Sequence, residues 1–299
     1  MVQALRRQPC PIENESYSEQ IPLLPALSWP TITQFMGGKS KRLARLAAAH
    51  PVCYFCATRP TESEDHVPSR ECFRQRVGPE GFSFPACKIC NNTAGQLEQV
   101  VALYLLMADH SDAGDIGDQM QRLANGVHNN NPNLMPQVTL RANLARRHFR
   151  DKKLSLPPGQ TYSDSPIATL PAGHGVAFDL FVRRLACALF YKEVGNPVPP
   201  EYNIAGTWVP WNEAASGEGV ADAIQLFPEL RVTNRRNTDI GGQFTYKWGA
   251  HADGTVFGFV AQFSQSYFFL GAVAAPNLHL PDGEAHPGWR VHSADIVKS

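Results

Sequence analysis

The sequence has little charge and no excess of either sign. Charged residues make up 18% of the 299 residues, and 27 Lys and Arg balance 27 Asp and Glu. Soluble domains usually carry about a quarter charged residues. The sequence therefore excludes a basic surface over the whole chain, which is the usual electrostatic footprint of a nucleic-acid-binding protein, and any such surface must be local.

Long apolar runs are also absent. The best candidate, residues 100–108, has about half the length needed to cross a bilayer. Residues 1–7 carry positive charge but lead into a polar stretch, so a secretory signal is not expected. We therefore expect a cytoplasmic protein that does not associate with a membrane.

Cysteine is scarce, but four of the 7 cysteines form two Cys-x-x-Cys pairs, Cys53/Cys56 and Cys87/Cys90. One such pair presents two thiolates to a Zn²⁺ ion, and two pairs complete a closed tetrahedral site. Two matched pairs among so few cysteines favour a structural zinc over chance spacing. The other three are expected to be reduced thiols: Cys10, Cys72 and Cys187.

Residues that could act as a general base or bind a metal ion lie within and just after the segment 53–90, which we call the clasp. Asp65-His66-Val67-Pro68 stands between the two pairs, and Asn91-Asn92 directly follows the second pair. We expect a strand over 65–68 to pair with residues 82–86, and a helix from residue 91 to pack across both. Asp65 and Asn91 would then point toward one place, beside His66. Alternatively, Asp65 is a capping residue, His66 a surface histidine, and one asparagine the N-cap of the helix.

The motifs resemble those of the zinc-clasped HNH endonucleases, or ββα-metal nucleases, in a bacterial branch whose members are uncharacterised. The resemblance covers residues 50–108, with a weaker echo at residues 184–195. It implies that His66 is the general base and that Asp65 and Asn91 hold one catalytic Mg²⁺ or Mn²⁺ ion. The implied reaction is hydrolysis of phosphodiester bonds, and the expected nucleic-acid partner is DNA.

One element of the family pattern is missing, because no asparagine lies between His66 and Cys87. Backbone groups, Ser83 or Glu80 would have to support the site instead, and Asn92 is a further candidate. Glu98 follows Asn91 by two helical turns and could extend the metal site or hydrogen-bond to His66. The separation of about 10 Å along the helix axis argues against a shared ligand shell.

The predicted fold is α+β, with a zinc-stapled ββα (HNH) core and surrounding helices, followed by a C-terminal helix and an antiparallel sheet. The expected domains are an arm (1–30), a nuclease domain (31–155), a linker (156–173) and a C-terminal domain (174–299) for recognition, regulation or oligomerisation. Helices are expected over residues 39–50, 91–108, 119–124, 138–153 and 175–194, and a loop over 128–132. Strands are expected over 243–249, 255–263 and 266–274, with aromatic residues forming a β core rather than a base-stacking platform.

Seven basic residues are candidates for contact with phosphates. For the two groups at helical spacing, in residues 41–45 and 146–150, a solvated helix face is an equal alternative. The candidates are Lys41, Arg42, Arg45, Arg70, Arg146, Arg147 and Arg150.

We expect an endonuclease. Because bacterial defence systems often contain HNH nucleases, anti-phage defence or a mobile element is the expected setting. A second copy of the chain or a regulatory protein is a further expected partner. A zinc-dependent deaminase is excluded because His66-Val67-Pro68 lacks the required glutamate and four cysteines already saturate the zinc. The main alternative is an inactive zinc-stapled module that binds nucleic acid or protein.

Overall fold

A computed structural model describes residues 38–109, 116–139, 141–151, 155–156, 159, 161–163, 167–211, 229–232, 240, 242–280 and 290–294. The helices are α1 (Gly38–Ala49), α2 (Lys88–Met107), α3 (Gly117–Asn130), α4 (Ala142–Asp151) and α5 (His174–Val194). The strands are β1 (Ser63–His66), β2 (Ser83–Ala86), β3 (Gln137–Thr139), β4 (Ile167–Thr169), β5 (Asn203–Pro210), β6 (Glu229–Val232), β7 (Phe244–Ala250), β8 (Val256–Phe263), β9 (Tyr267–Ala274) and β10 (Arg290–Ser293). The mixture confirms the α+β class. The expected arm (1–30), with Cys10, lies outside the described residues.

The largest sheet is antiparallel, with the strand order β10-β5-β9-β8-β7-β6. It contains the predicted hairpin as β7 and β8, and the predicted third strand as β9. Gly254, in the turn between β7 and β8, has a φ of +72°, a conformation that glycine adopts without strain. Strand β5 was not predicted; it contains Gly206 and ends in Pro210, and both residue types are uncommon in strands.

Helix α5 packs on this sheet at very short range. A Cβ atom at Gly206 on β5 would stand 2.1 Å from Cγ1 of Val182, so only glycine permits this approach. Phe181 of α5 meets Phe269 of β9 with ring centroids 4.9 Å apart. The helix ends as predicted, with Gly195 in the left-handed conformation at a φ of +87°.

The clasp half and the C-terminal half share one hydrophobic core. Tyr104 of α2 stacks on Phe178 of α5 at 5.9 Å, and Phe82, just before β2, meets Phe244 of β7 at 5.5 Å. Buried side chains from both predicted domains therefore form a single cluster. The division at residues 156–173 stays a prediction. Within the described residues, no helix combines the length and apolar character needed to cross a membrane.

The predicted helix boundaries differ from the structure most clearly at three places. Helix α2 begins at Lys88 rather than at residue 91. Helix α3 continues to Asn130, so most of the asparagine tract predicted as a loop is helical. The helix predicted from residue 138 begins only at Ala142, because β-branched Val138 and Thr139 lie in strand β3.

Candidate metal centre and active site

The four predicted cysteine ligands come together. The Sγ atoms of Cys53, Cys56, Cys87 and Cys90 all lie within 4.8 Å of one another, and all four residues are buried. Tetrahedral zinc with Zn–S bonds of about 2.3 Å separates its sulfurs by roughly 3.8 Å, so the cluster has the right size. These cysteines could bind a metal ion such as zinc.

The local backbone explains how each pair presents its thiols. In the first pair a tight turn forms, with the Ala57 N–H donating to the Cys53 carbonyl at 3.0 Å. In the second pair Cys87 is the N-cap of α2, and its sulfur accepts the Cys90 N–H at 3.4 Å. Since Cys87 caps the helix, the interpretation of Asn91 or Asn92 as the N-cap is wrong.

Strand β1 divides its side chains between two faces, as the alternation of an extended chain requires. Asp65 points inward and is buried, whereas Glu64 and His66 are only partly buried on the other face. The strand pairs with β2 so that Asp65 lies opposite Phe84 and His66 lies opposite Ser83. The two adjacent residues of the Asp-His motif therefore have different environments.

Asp65 belongs to a buried ionic network. Its Oδ2 atom accepts hydrogen bonds from the Tyr54 hydroxyl, at 2.8 Å, and from the Arg184 guanidinium. The Nε atom of Arg184 lies 3.2 Å from Oε1 of Glu98. Burial alone would lower the pKa of Arg184, but Tyr54, Glu98 and Asp65 raise it, so the guanidinium stays charged. Glu98 thus contacts Arg184, while the structure gives it no hydrogen bond to His66 within the described residues.

Asn91 is turned toward the strand backbone. Its Nδ2 atom donates to Oγ of Ser63 at 3.1 Å and to the carbonyl of Glu64 at 3.4 Å. Asn92, predicted as support, is exposed.

The expected catalytic cation can be tested against these contacts. Asp65 is only 5% exposed, and one of its oxygens already holds two donors, one of them a cation. A divalent ion bound there would share a buried carboxylate with a guanidinium, which the repulsion between two positive charges opposes. The arrangement of Asp65 and Asn91 does not fit a cation site that is open to substrate.

His66 is held by the neighbouring strand. Its Nδ1 atom lies 2.9 Å from Oγ of Ser83. Partial burial and the positive charge of Arg70 lower the pKa of His66, against the raising effects of Glu64, Asp65 and the Phe82 backbone. A lowered pKa favours the neutral imidazole, the state in which it can accept a proton.

Glu64 lies beside His66 on the same face of β1. Partial burial would raise the pKa of Glu64, but hydrogen bonds to Arg42 and Ser83 and the charges of Arg42 and His66 keep it below its ordinary value. Arg42 of α1 donates to the Glu64 carboxylate. Arg42, one of the predicted phosphate contacts, is therefore paired with an acidic side chain of the same protein.

The other basic candidates are on the surface. Exposed side chains include Lys41, Arg45, Arg70, Arg146, Arg147 and Arg150. Arg147 and Arg150 form ion pairs with Asp151, and Arg146 lies over the ring of Tyr162 at 5.3 Å. Arg70 is the candidate whose charge acts on His66.

Comparison with known proteins identifies no relative. No family model matches this chain, and neither any curated protein nor any solved structure does. The resemblance to HNH endonucleases thus depends on the motifs alone.

Sequence reasoning missed the importance of Arg184 and gave no role to Glu64. Arg184 lies in the segment with the weak family echo, between the apolar residues Val182 and Leu185 of α5. A charged residue among core positions needs a buried partner of opposite charge. This pattern could therefore have predicted a buried carboxylate beside Arg184. Glu64 carried no comparable signal, because its partner Arg42 comes from a separate element, α1.

Proposed function

We propose that this protein is a zinc-clasped nuclease that hydrolyses phosphodiester bonds of DNA, with His66 as the general base. The observation that carries the proposal is the contact of 2.9 Å between His66 Nδ1 and Ser83 Oγ, on a hairpin that leads directly into the cysteine cluster and α2. In this proposal Ser83 takes the supporting role that the missing asparagine has in the family pattern.

In this proposal the four cysteines hold a structural zinc ion. A zinc ion with four thiolate ligands has no open position for water or substrate, so it supplies no catalysis itself. It joins the turn before β1 to the first turn of α2, and the hairpin between them carries His66.

The proposed chemistry begins with a water molecule whose proton moves to Nε2 of His66. The water oxygen attacks phosphorus, and the bond from phosphorus to the 3′ oxygen breaks. Arg70 is exposed and its charge acts on His66, so in this proposal it would contact the phosphate. A divalent cation, which the resemblance implies, would stabilise charge on the departing oxygen, but we assign it no ligands because Asp65 and Asn91 do not fit that role.

A second candidate function is a zinc-stapled binding module without catalysis. The buried pair of Arg184 and Asp65 favours it, because this pair gives the conspicuous aspartate of the motif a structural use. The biological setting, in anti-phage defence or a mobile element, and a homodimer or regulatory partner stay predictions.

A plasmid-cleavage assay separates the two functions. Wild-type protein is compared with His66→Ala and with the matched control His128→Ala, an exposed histidine on α3. Each is incubated with Mg²⁺, with Mn²⁺ and with a chelator, and DNA binding is measured in parallel by gel shift. Loss of a general base is expected to slow cleavage by about 10²- to 10⁴-fold, while the control stays unchanged.

Two outcomes would reject the proposal. Cleavage by His66→Ala at the wild-type rate would remove His66 from the mechanism. DNA binding without cleavage by any of the three proteins would instead identify the binding module.

A further inference from the structure

We propose that a cavity between residues 74–76 and the start of α3, which we call the arginine cavity, binds a phosphate group that is free or attached through a single oxygen. The cavity has a volume of about 240 Å³. Ligand pockets usually measure about 300–1,000 Å³, so a small group fits this volume better than a whole nucleotide. None of the lining residues belongs to the β1–β2 hairpin or the cysteine cluster, so the inference does not rest on the proposed function.

The lining of the arginine cavity is polar and mainly positive. Three guanidinium groups contribute to it, those of Arg74, Arg76 and Arg122. Among the lining residues, Asp118 is the one acid and Ile116 the one apolar residue. This composition disfavours a cation or a hydrophobic ligand. It favours an anion whose oxygens accept hydrogen bonds from guanidinium groups.

The acidic partners of these arginines are more deeply buried than the arginines and do not line the cavity. Asp109 pairs with Arg74 and has a side chain that is only 4% exposed. Glu71 is shared, with Oε1 2.8 Å from Arg76 and Oε2 3.8 Å from Arg122. Its side chain is 18% exposed, whereas those of the two arginines are more than half exposed. Since a guanidinium has five N–H donors, contact with one carboxylate leaves donors for a ligand.

The backbone on one side of the cavity is held in an unusual conformation. Gln75 and Arg76 have φ angles of +56° and +59°, in the left-handed region that residues with a side chain rarely adopt. The buried side chain of Gln119 accepts the Gln75 N–H at 2.9 Å and donates to the Phe73 carbonyl at 2.8 Å. This contact fixes residues 74–76 to α3 before a ligand binds, and such preorganisation lowers the entropic cost of binding.

The number of guanidinium groups distinguishes between two kinds of phosphate. A phosphate attached through a single oxygen has three free oxygens and up to about two negative charges. A phosphate within a nucleic-acid strand has two free oxygens and one charge. Three guanidinium groups around one small cavity match the first kind. Inorganic phosphate and the 5′ end of a DNA strand both present this group.

The first experiment measures the binding of inorganic phosphate by calorimetry at neutral pH, with chloride at equal ionic strength as the reference. Wild-type protein is expected to bind phosphate. Arg122→Gln and Arg76→Gln should each weaken binding by about tenfold or more, because a charge-assisted hydrogen bond is lost. Arg147→Gln, at an exposed ion pair on α4, is the matched control and should bind as the wild type does. Circular dichroism confirms that each variant is folded. No binding by the wild type, or equal affinity in all four proteins, would overturn the inference.

The second experiment identifies the source of the phosphate. A short single-stranded DNA with or without a 5′ phosphate is titrated into His66→Ala, so that cleavage by the proposed mechanism does not alter the strand, and binding is measured by fluorescence anisotropy. Tighter binding of the phosphorylated strand that is lost on adding Arg122→Gln would identify a DNA end as the ligand. Phosphate binding with no preference between the strands would identify a free phosphate. An equal loss of affinity for both strands in Arg122→Gln would place the strand backbone in the cavity and overturn the inference.

Discussion

Arg184 of α5 donates a hydrogen bond to the carboxylate of Asp65 on β1, a residue 119 positions earlier in the chain. Both side chains are almost fully buried, and the same guanidinium lies beside Glu98 of α2. The C-terminal half of the protein therefore supplies the positive charge that neutralises the buried acids of the clasp. Folding of the clasp is expected to depend on α5.

The first prediction concerns Arg184→Met. The substitution keeps an unbranched side chain but leaves Asp65 and Glu98 buried without a cation. Breaking a buried ion pair by removing one partner typically costs about 3–5 kcal/mol, and we expect that loss in the free energy of unfolding by urea. Arg147→Met, at an exposed ion pair, should change it by less than about 0.5 kcal/mol. A loss below about 1 kcal/mol for Arg184→Met would show that the network does not hold the halves together.

The second prediction concerns the pH dependence of stability. Burial, with a smaller effect of Asp65 and against the charge of Arg184, raises the pKa of Glu98 from 4.5 to about 7. The folded protein thus holds a proton that the unfolded chain releases, so this contribution to stability is complete below pH 4.5 and is lost as the pH rises to about 7. The loss amounts to roughly 3 kcal/mol at most.

The measurement compares unfolding by urea over this pH range for wild type and Glu98→Gln. Glu98→Gln has no carboxyl group at this position and should lack the pH-dependent contribution. The difference in the free energy of unfolding between wild type and Glu98→Gln should therefore change steadily with pH, whereas Glu80→Gln should follow the wild type. Parallel curves for wild type and Glu98→Gln would contradict the raised pKa.

The third prediction concerns the cysteine cluster. Purified protein should contain about one zinc ion per chain, and Cys53→Ser with Cys87→Ser should lose the metal and the cooperative unfolding transition. Cys72→Ala removes a buried thiol outside the cluster and should keep the zinc. Elemental analysis and circular dichroism measure both effects. A folded, metal-free double variant would rule out the structural role.

The fourth prediction concerns Gly206. An added methyl group would stand 2.1 Å from Val182, so Gly206→Ala must push α5 away from β5. Overpacking of this kind costs about 1–3 kcal/mol, which we expect as a lower midpoint of thermal unfolding. Gly242→Ala, where nothing lies within 4 Å, is the control and should have little effect. Equal midpoints for the two variants would mean that α5 and β5 are not tightly packed at Gly206.

Local patterns predicted much of the secondary structure. The Asp253-Gly254 turn between apolar runs predicted the hairpin of β7 and β8, and Gly195 predicted the end of α5. Strands β5 and β10 were missed because their pairing is between distant segments, and nothing in the local sequence of β5 marks it. Helix α2 was predicted three residues short because its cap is a cysteine rather than a residue with a preference for that position.

The amino-acid sequence by itself determined the cysteine cluster, because a Cys-x-x-Cys pair places two thiols on one tight turn and needs only a second pair to complete it. The sequence also offered Ser83 as one candidate to support His66, and the structure brings the two side chains into contact. Only the tertiary structure decided the surroundings of Asp65. The partner of that carboxylate comes from a helix far along the chain, and the cost of burying a charge without a counter-charge brings the two together.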